Sequence, residues 1–102
     1  MAREIILYNL AEQVTDREYR DYVIKEKGPL LESLPSVTKF QLVKITGSPS
    51  GKIPYRYVGI LNIKNLDDFS RRDAPSPEFQ GFMKKWQTLV SDYQILVGED
   101  IY

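Results

Sequence analysis

The sequence predicts an α+β fold, with one four-stranded antiparallel sheet and its helices on a single face; three observations carry this. The periodic segments follow the order strand, helix, strand, strand, helix, strand. The first and third strand segments bear large apolar residues at both alternating positions, as strands covered on both faces do. The second is interrupted by Lys39, Gln41 and Lys44, as suits a strand at a sheet edge. With 102 residues, 42% of them hydrophobic, the chain reads as one domain, 1–102.

The first strand is expected over Arg3–Leu10, where Ile5, Ile6, Leu7, Tyr8 and Leu10 occupy both faces. Thr15 and Glu18 then have the spacing of a capping box. The helix they open carries Tyr19, Tyr22, Val23 and the stem of Lys27 on one side. On its wet side Asp16–Arg20 and Asp21–Lys25 have ion-pair spacing, stabilising by roughly 0.2–0.5 kcal/mol each. Gly28-Pro29 is expected to interrupt this helix, because a residue before proline avoids helical angles. A short turn with Leu30, Leu31 and Leu34 follows, ended by Pro35.

The second strand is predicted over 37–46. Residues 47–54, rich in Gly, Ser and Pro, make a hairpin loop. A phosphate-binding loop is rejected there: only three residues separate Gly47 from Gly51, and Ile53 rather than Ser or Thr follows Lys52. The third strand, 55–63, is the best defined. Asn65 caps a short helix through Phe69, with Asp67 and Asp68 favourably placed at its N-terminus, and 71–75 read as a loop. Ser76 and Pro77 open a helix to about Val90, whose Phe79, Phe82, Met83, Trp86, Leu89 and Val90 recur at three- and four-residue intervals. Residues 93–97 form the fourth strand.

This order matches the ferredoxin-like βαββαβ sheet, in which the first and third strands are central. Helices cover one face only. The other would expose apolar groups from both central strands, a large patch for a monomer. Face-to-face packing of two copies is therefore expected, giving a homodimer.

Composition narrows the chemistry. Fourteen basic residues balance fourteen acidic ones, so no basic excess points to nucleic acid. Cysteine and histidine are both absent, which removes thiolate chemistry, the commonest general base and the usual ligands of transition metals and haem. No apolar run has the length of a membrane span, and the Met-Ala-Arg-Glu start leads directly into a strand. A cytoplasmic location is the default expectation. With neither metal nor other cofactor expected, catalysis falls to Tyr, Asp, Glu, Lys or Arg. Tyr57 and Asn62 are the catalytic candidates: a phenol can donate to a developing oxyanion, and a buried amide must find partners. Tyr8, Phe40, Tyr22, Trp86 and Arg56 are the candidate substrate contacts. Asn9 raises the same question as Asn62 in the first strand.

The strand order, the two-faced central strands and the segment Lys27-Gly28-Pro29-Leu30 resemble the dimeric α+β barrel superfamily, and within it the REDY-like (HapK-type) family. Many superfamily members carry histidine where this chain has Lys27. The resemblance implies a pocket between sheet and helices in each subunit and a small aromatic or pyrrolic ligand. It implies a cofactor-independent enzyme of cyclase or condensation type. A non-catalytic carrier of a hydrophobic small molecule, or a dimer with a packed interior, is the alternative. An interior filled by Tyr8, Phe40, Tyr57 and Trp86 favours packing; a cavity lined by tyrosine rings favours binding or turnover.

Overall fold

The computed structural model describes residues 2–102; Met1, part of the expected domain and N-terminal start, lies outside them. Four strands, β1 (Ala2–Leu10), β2 (Val37–Lys44), β3 (Tyr57–Ile63) and β4 (Val90–Glu99), form one antiparallel sheet in the order β2-β3-β1-β4. The two-faced strands β3 and β1 are central and the interrupted β2 is an edge, as expected. β1 and β3 pair with Tyr8 opposite Tyr57 and Ile5 opposite Ile60. Strand alternation then puts Tyr8, Tyr57 and Leu61 on the helix side, where they are buried.

On the opposite face, cross-strand neighbours line up as Val43, Val58 and Leu7, and as Gln41, Ile60, Ile5 and Leu96. Val43 and Leu96 are each 48% exposed. Among the described residues nothing covers this apolar face.

Strand ends depart from the sequence reading. β3 begins at Tyr57 rather than Tyr55, because the Asn9 side chain takes over the pairing there. Its Oδ1 accepts the Arg56 backbone N–H at 2.8 Å and its amide donates to the Pro54 carbonyl at 3.0 Å. β4 extends beyond the expected 93–97 at both ends, pairing with β1 past an irregularity between Leu7 and Asn9.

The helical layer comprises α1 (Asp16–Tyr22), α2 (Gly28–Ser33), the short α3 (Leu66–Asp68) and α4 (Pro77–Leu89). Thr15 caps α1, accepting the Glu18 N–H at 3.1 Å; its own hydroxyl donates to the Glu18 carboxylate at 3.0 Å. Among the described residues neither expected i,i+4 ion pair forms on α1. Asp16 instead meets Lys44 on β2 at 2.7 Å and the Tyr57 hydroxyl at 2.5 Å.

Gly28-Pro29 does not interrupt the helix. A wide π turn over Val23–Lys27 joins α1 to α2 without a break, and the Gly28 N–H bonds the Val23 carbonyl five residues back. Proline's missing N–H is tolerated at the start of α2. The turn also favours glycine, since a Cβ on Gly28 would stand 3.0 Å from that same carbonyl. A second π turn, Phe69–Asp73, replaces most of the loop expected over 71–75, closed by Ala74 N–H to the Phe69 carbonyl at 2.8 Å.

Between sheet and helices lie two clusters. One comprises Leu31, Leu34, Val37, Leu61, Ile63, Phe69 and Phe79. The other comprises Tyr8, Tyr19, Tyr22, Tyr57, Trp86 and Val90. Among the described residues no helix is long and apolar enough to cross a membrane.

Candidate functional site

The aromatic cluster surrounds an amine. Lys27 stands two helical turns after Tyr19, and the π turn between them aims both side chains at β1. Lys27 is only 4% exposed. Its Nζ lies 3.2 Å from Tyr8 Oη and 3.0 Å from Tyr19 Oη. The two phenol oxygens are 2.5 Å apart, and Trp86 Nε1–H donates to Tyr19 Oη at 3.0 Å. The rings of Tyr8, Trp86, Phe40 and Tyr19 hold their centroids 5.0–5.7 Å from the nitrogen.

Desolvation inside this box lowers the Lys27 pKa from its ordinary 10.5 to about 7. Burial moves both neighbouring phenols the other way, well above the usual tyrosine value. The proton inventory agrees. An ammonium donating to both oxygens leaves one phenolic proton with no acceptor among the described residues. A neutral amine closes the circuit: one phenol donates to nitrogen, nitrogen donates to the other phenol, that phenol donates to the first, and Tyr19 also accepts from Trp86.

Lys27 is part of the wall of a small apolar recess between the sheet and α4. Its volume is about 30 Å³, and Glu4, Ile6, Phe40, Phe82, Met83 and Trp86 are among its other walls. Glu4 projects from β1 on the helix side, half-buried, and burial raises its carboxyl pKa. The recess therefore has an amine and a carboxyl group whose environments each favour the uncharged form.

Tyr57 stacks on Tyr8, with centroids 5.5 Å apart and planes at 14°, but its hydroxyl is turned to Asp16. Lys44 and then Tyr57 hold the Asp16 carboxyl below the usual range. A wider groove of about 790 Å³ runs between α1 and the β2–β3 edge, with Asp16, Tyr19, Lys44 and Tyr57 along it. Asn62 lies on the other face of the sheet, so the structure does not bring it together with Tyr57. There its Oδ1 accepts from Arg3, whose guanidinium also grips Asp100 at 2.6 and 2.8 Å.

Tyr8, Phe40 and Trp86 do gather around one point, the Lys27 amine. Tyr22 is buried beside Tyr19, its hydroxyl without a hydrogen-bond partner in the structure, away from the recess walls. Arg56 is exposed and remote from that amine's hydrogen bonds, its backbone tied to Asn9. The Asn9 side chain bonds the backbone of Pro54 and Arg56.

Sequence reasoning left out Lys27, Tyr19 and Glu4 as site residues. Spacing held the signal for two of them: Tyr19, Val23 and Lys27 stand four apart on one helix face, which places a lysine on the apolar stripe. Among the described residues no group of three or more Asp or Glu side chains gathers to hold a metal ion.

Comparison with known proteins fits this architecture. A solved structure of HapK from Hahella chejuensis superimposes with a TM-score of 0.81 at 22% identity, over 99% of this chain and 93% of that one. SnoaB from Streptomyces nogalater, described as a cofactor-independent oxygenase, gives 0.77 at 14% identity over 99% and 93%. A dimeric ferredoxin-like protein of unknown function from Thermobifida fusca gives 0.75 at 17% identity over 97% and 90%. At these identities the likeness concerns the fold. A search of curated proteins found no match. The profile described as "REDY-like protein HapK" matches residues 2–101, nearly the whole sequence, and the chain belongs to that family.

Proposed function

We propose that the protein is a cofactor-independent enzyme of cyclising or condensing type that acts on a small aromatic or pyrrolic metabolite in natural-product biosynthesis. Lys27 is its central polar group. The observation that carries this reading is the amine sealed among four aromatic rings and two phenols on the wall of an apolar recess. A core selected for stability alone gains nothing from a buried amine, whose desolvation is unfavourable. An amine that titrates near neutrality can instead take a proton from a substrate and return it, with Tyr8 and Tyr19 as relay. Phe40 and Trp86 enclose that amine with their rings. Tyr57 supports this centre by stacking on Tyr8. The family and the likeness to SnoaB support chemistry without a cofactor.

The assembly we propose is a homodimer through the open sheet face. Val43, Val58, Leu7, Ile60, Ile5 and Leu96 would form its apolar centre, with Arg3, Asn62 and Asp100 as a polar border. A cytoplasmic location goes with this reading.

One observation favours a second reading. At about 30 Å³ the recess holds little more than a water molecule, which suits a packed dimer without turnover. Screening aromatic and pyrrolic ketones and aldehydes by thermal shift, then following bound compounds for product by mass spectrometry, separates the two. The enzymatic reading expects one compound class to raise the melting temperature and be converted without added metal or flavin, with conversion lost in Lys27→Met. If no compound binds at millimolar concentration, the packed interior is the correct reading.

A further inference from the structure

The geometry points to Lys27 as a covalent centre: its uncharged amine condenses with an aldehyde or ketone carbon of the substrate to form an imine. This rests on the reading of Lys27 as the site's reacting group and names the functional group it takes.

Three features of the site lead there. Among the described residues the Lys27 nitrogen has no carboxylate within ion-pair distance that would hold it in the ammonium form. Its hydrogen-bond circuit with Tyr8 and Tyr19 is complete only for a nitrogen that keeps its lone pair. It also lies on the wall of the recess, where Ile95, 41% exposed, marks the mouth. A carbonyl group with one small substituent matches that space better than a whole ring does; the rest of the substrate would lie outward, along the exposed β4 side chains Ile95 and Val97.

The step balances without a cofactor. The lone pair attacks the carbonyl carbon, an N–C bond forms, and the C–O π bond breaks. The new alkoxide takes a proton from the adjacent phenol, and the nitrogen returns one to the circuit, leaving a neutral carbinolamine. The C–O bond then breaks as oxygen takes a second proton from the same relay, and water leaves. Return of the remaining N–H proton to the phenolate so formed restores the relay and gives the imine. Nothing is oxidised or reduced. Water and the imine are the products, and the imine acidifies the neighbouring C–H for a following ring closure.

The titratable groups that face the amine are Tyr8 from β1 and Tyr19 from α1, with Glu4 of β1 on the same recess. The phenols are protonated at pH 7. Lys27 then has an uncharged fraction about a thousandfold above that of an ordinary lysine.

The test is reductive trapping. Intact protein is incubated at pH 7 with acetaldehyde and cyanoborohydride, and ethyl adducts are mapped and timed by peptide mass spectrometry. The expected result is modification of Lys27 about tenfold or more ahead of the exposed Lys25, Lys39 and Lys84. Tyr19→Phe, checked as folded by its melting curve, should slow Lys27 and leave the exposed lysines unchanged. A Lys27 adduct that forms no faster than theirs overturns the inference. Conversion of a ketone by protein that yields no trapped Lys27 adduct also overturns the covalent step, while the enzymatic reading stands. A fast adduct with no conversion of any compound supports the amine's reactivity and counts against the enzymatic reading alone.

Discussion

Two clusters under the same sheet are built from different materials. Around Leu61 and Ile63 the layer is held mainly by apolar contact, with Leu31, Leu34, Phe69 and Phe79 closing over β3 and the buried Asp73 carboxylate accepting the Ser36 N–H at 2.8 Å next to Val37. One turn further along the helices, Tyr8, Tyr19 and Trp86 enclose an amine and share a closed set of hydrogen bonds. Both regions are equally inaccessible, with Ile63 and Tyr8 at 0% exposure. The difference teaches that burial alone does not identify structural core. The first cluster lowers the free energy of folding by removing hydrocarbon from water. The second spends part of that gain on keeping a titratable group dry.

The sharpest way to break this contrast is to damage the apolar half. Ile63→Ala should lower stability by about 2–5 kcal/mol while Lys27 keeps its titration and trapping behaviour; chemical denaturation and peptide mapping read the two separately. A small loss would mean that the clusters do not divide the work in this way.

Next in size is the effect of Lys27 itself. Its folded pKa of about 7 lies below the ordinary 10.5, so between those values the unfolded chain binds the extra proton. Stability therefore rises with pH across that window, by up to about 1.4 kcal/mol per pH unit from this group. Below pH 7 both states hold the proton and the burial penalty is at full size. Tyr8 and Tyr19, with raised values, act in the opposite sense only above their ordinary value of 10. Lys27→Met should thus melt higher than the parent at pH 6, and its advantage should shrink towards pH 9. An advantage constant with pH would show that the lysine is not desolvated.

A smaller effect is expected at the margin of the aromatic cluster. Tyr57→Phe removes one bond to a carboxylate that Lys44 still holds, and should cost about 1 kcal/mol or less with the ring stack intact. If it matches Ile63→Ala instead, the polar margin of the cluster carries structural weight.

The open sheet face gives a last comparison with the covered one. Ile60→Glu should leave each subunit folded but release it as a monomer in sedimentation velocity runs at micromolar concentration. A parent protein that already sediments as a monomer would remove the proposed dimer.

The fold was legible because its signals are local and redundant. Alternation in Ile5 to Leu10 and 55–63 marked the central strands, Lys39 and Gln41 marked the edge, and Thr15, Asn65 and Ser76 marked helix starts. The π turns were not legible: Gly28-Pro29 reads as a break in any rule that counts i−4 bonds, and a five-residue spacing is invisible in composition. The face that the helices cover was equally hidden, since alternation pairs Tyr8 with Tyr57 but does not say which side is up. Alternation alone did separate Asn62 from Tyr57, five residues apart on one strand and so on opposite faces, and reading them as one site passed over that signal. Lys27 sat on the apolar stripe in plain sight, but a lysine stem at such a position usually carries its charge out to water. Here the amine stays inside, with the rings of Phe40 and Trp86 centred 5.3 and 5.1 Å from it.

The most direct measurement is the titration of Lys27 in protein labelled at the lysine ε-carbon, followed by NMR with Lys27→Met to assign the signal. The Lys27 midpoint should lie at about 7. A midpoint near the ordinary lysine value of 10.5 would overturn the desolvated amine.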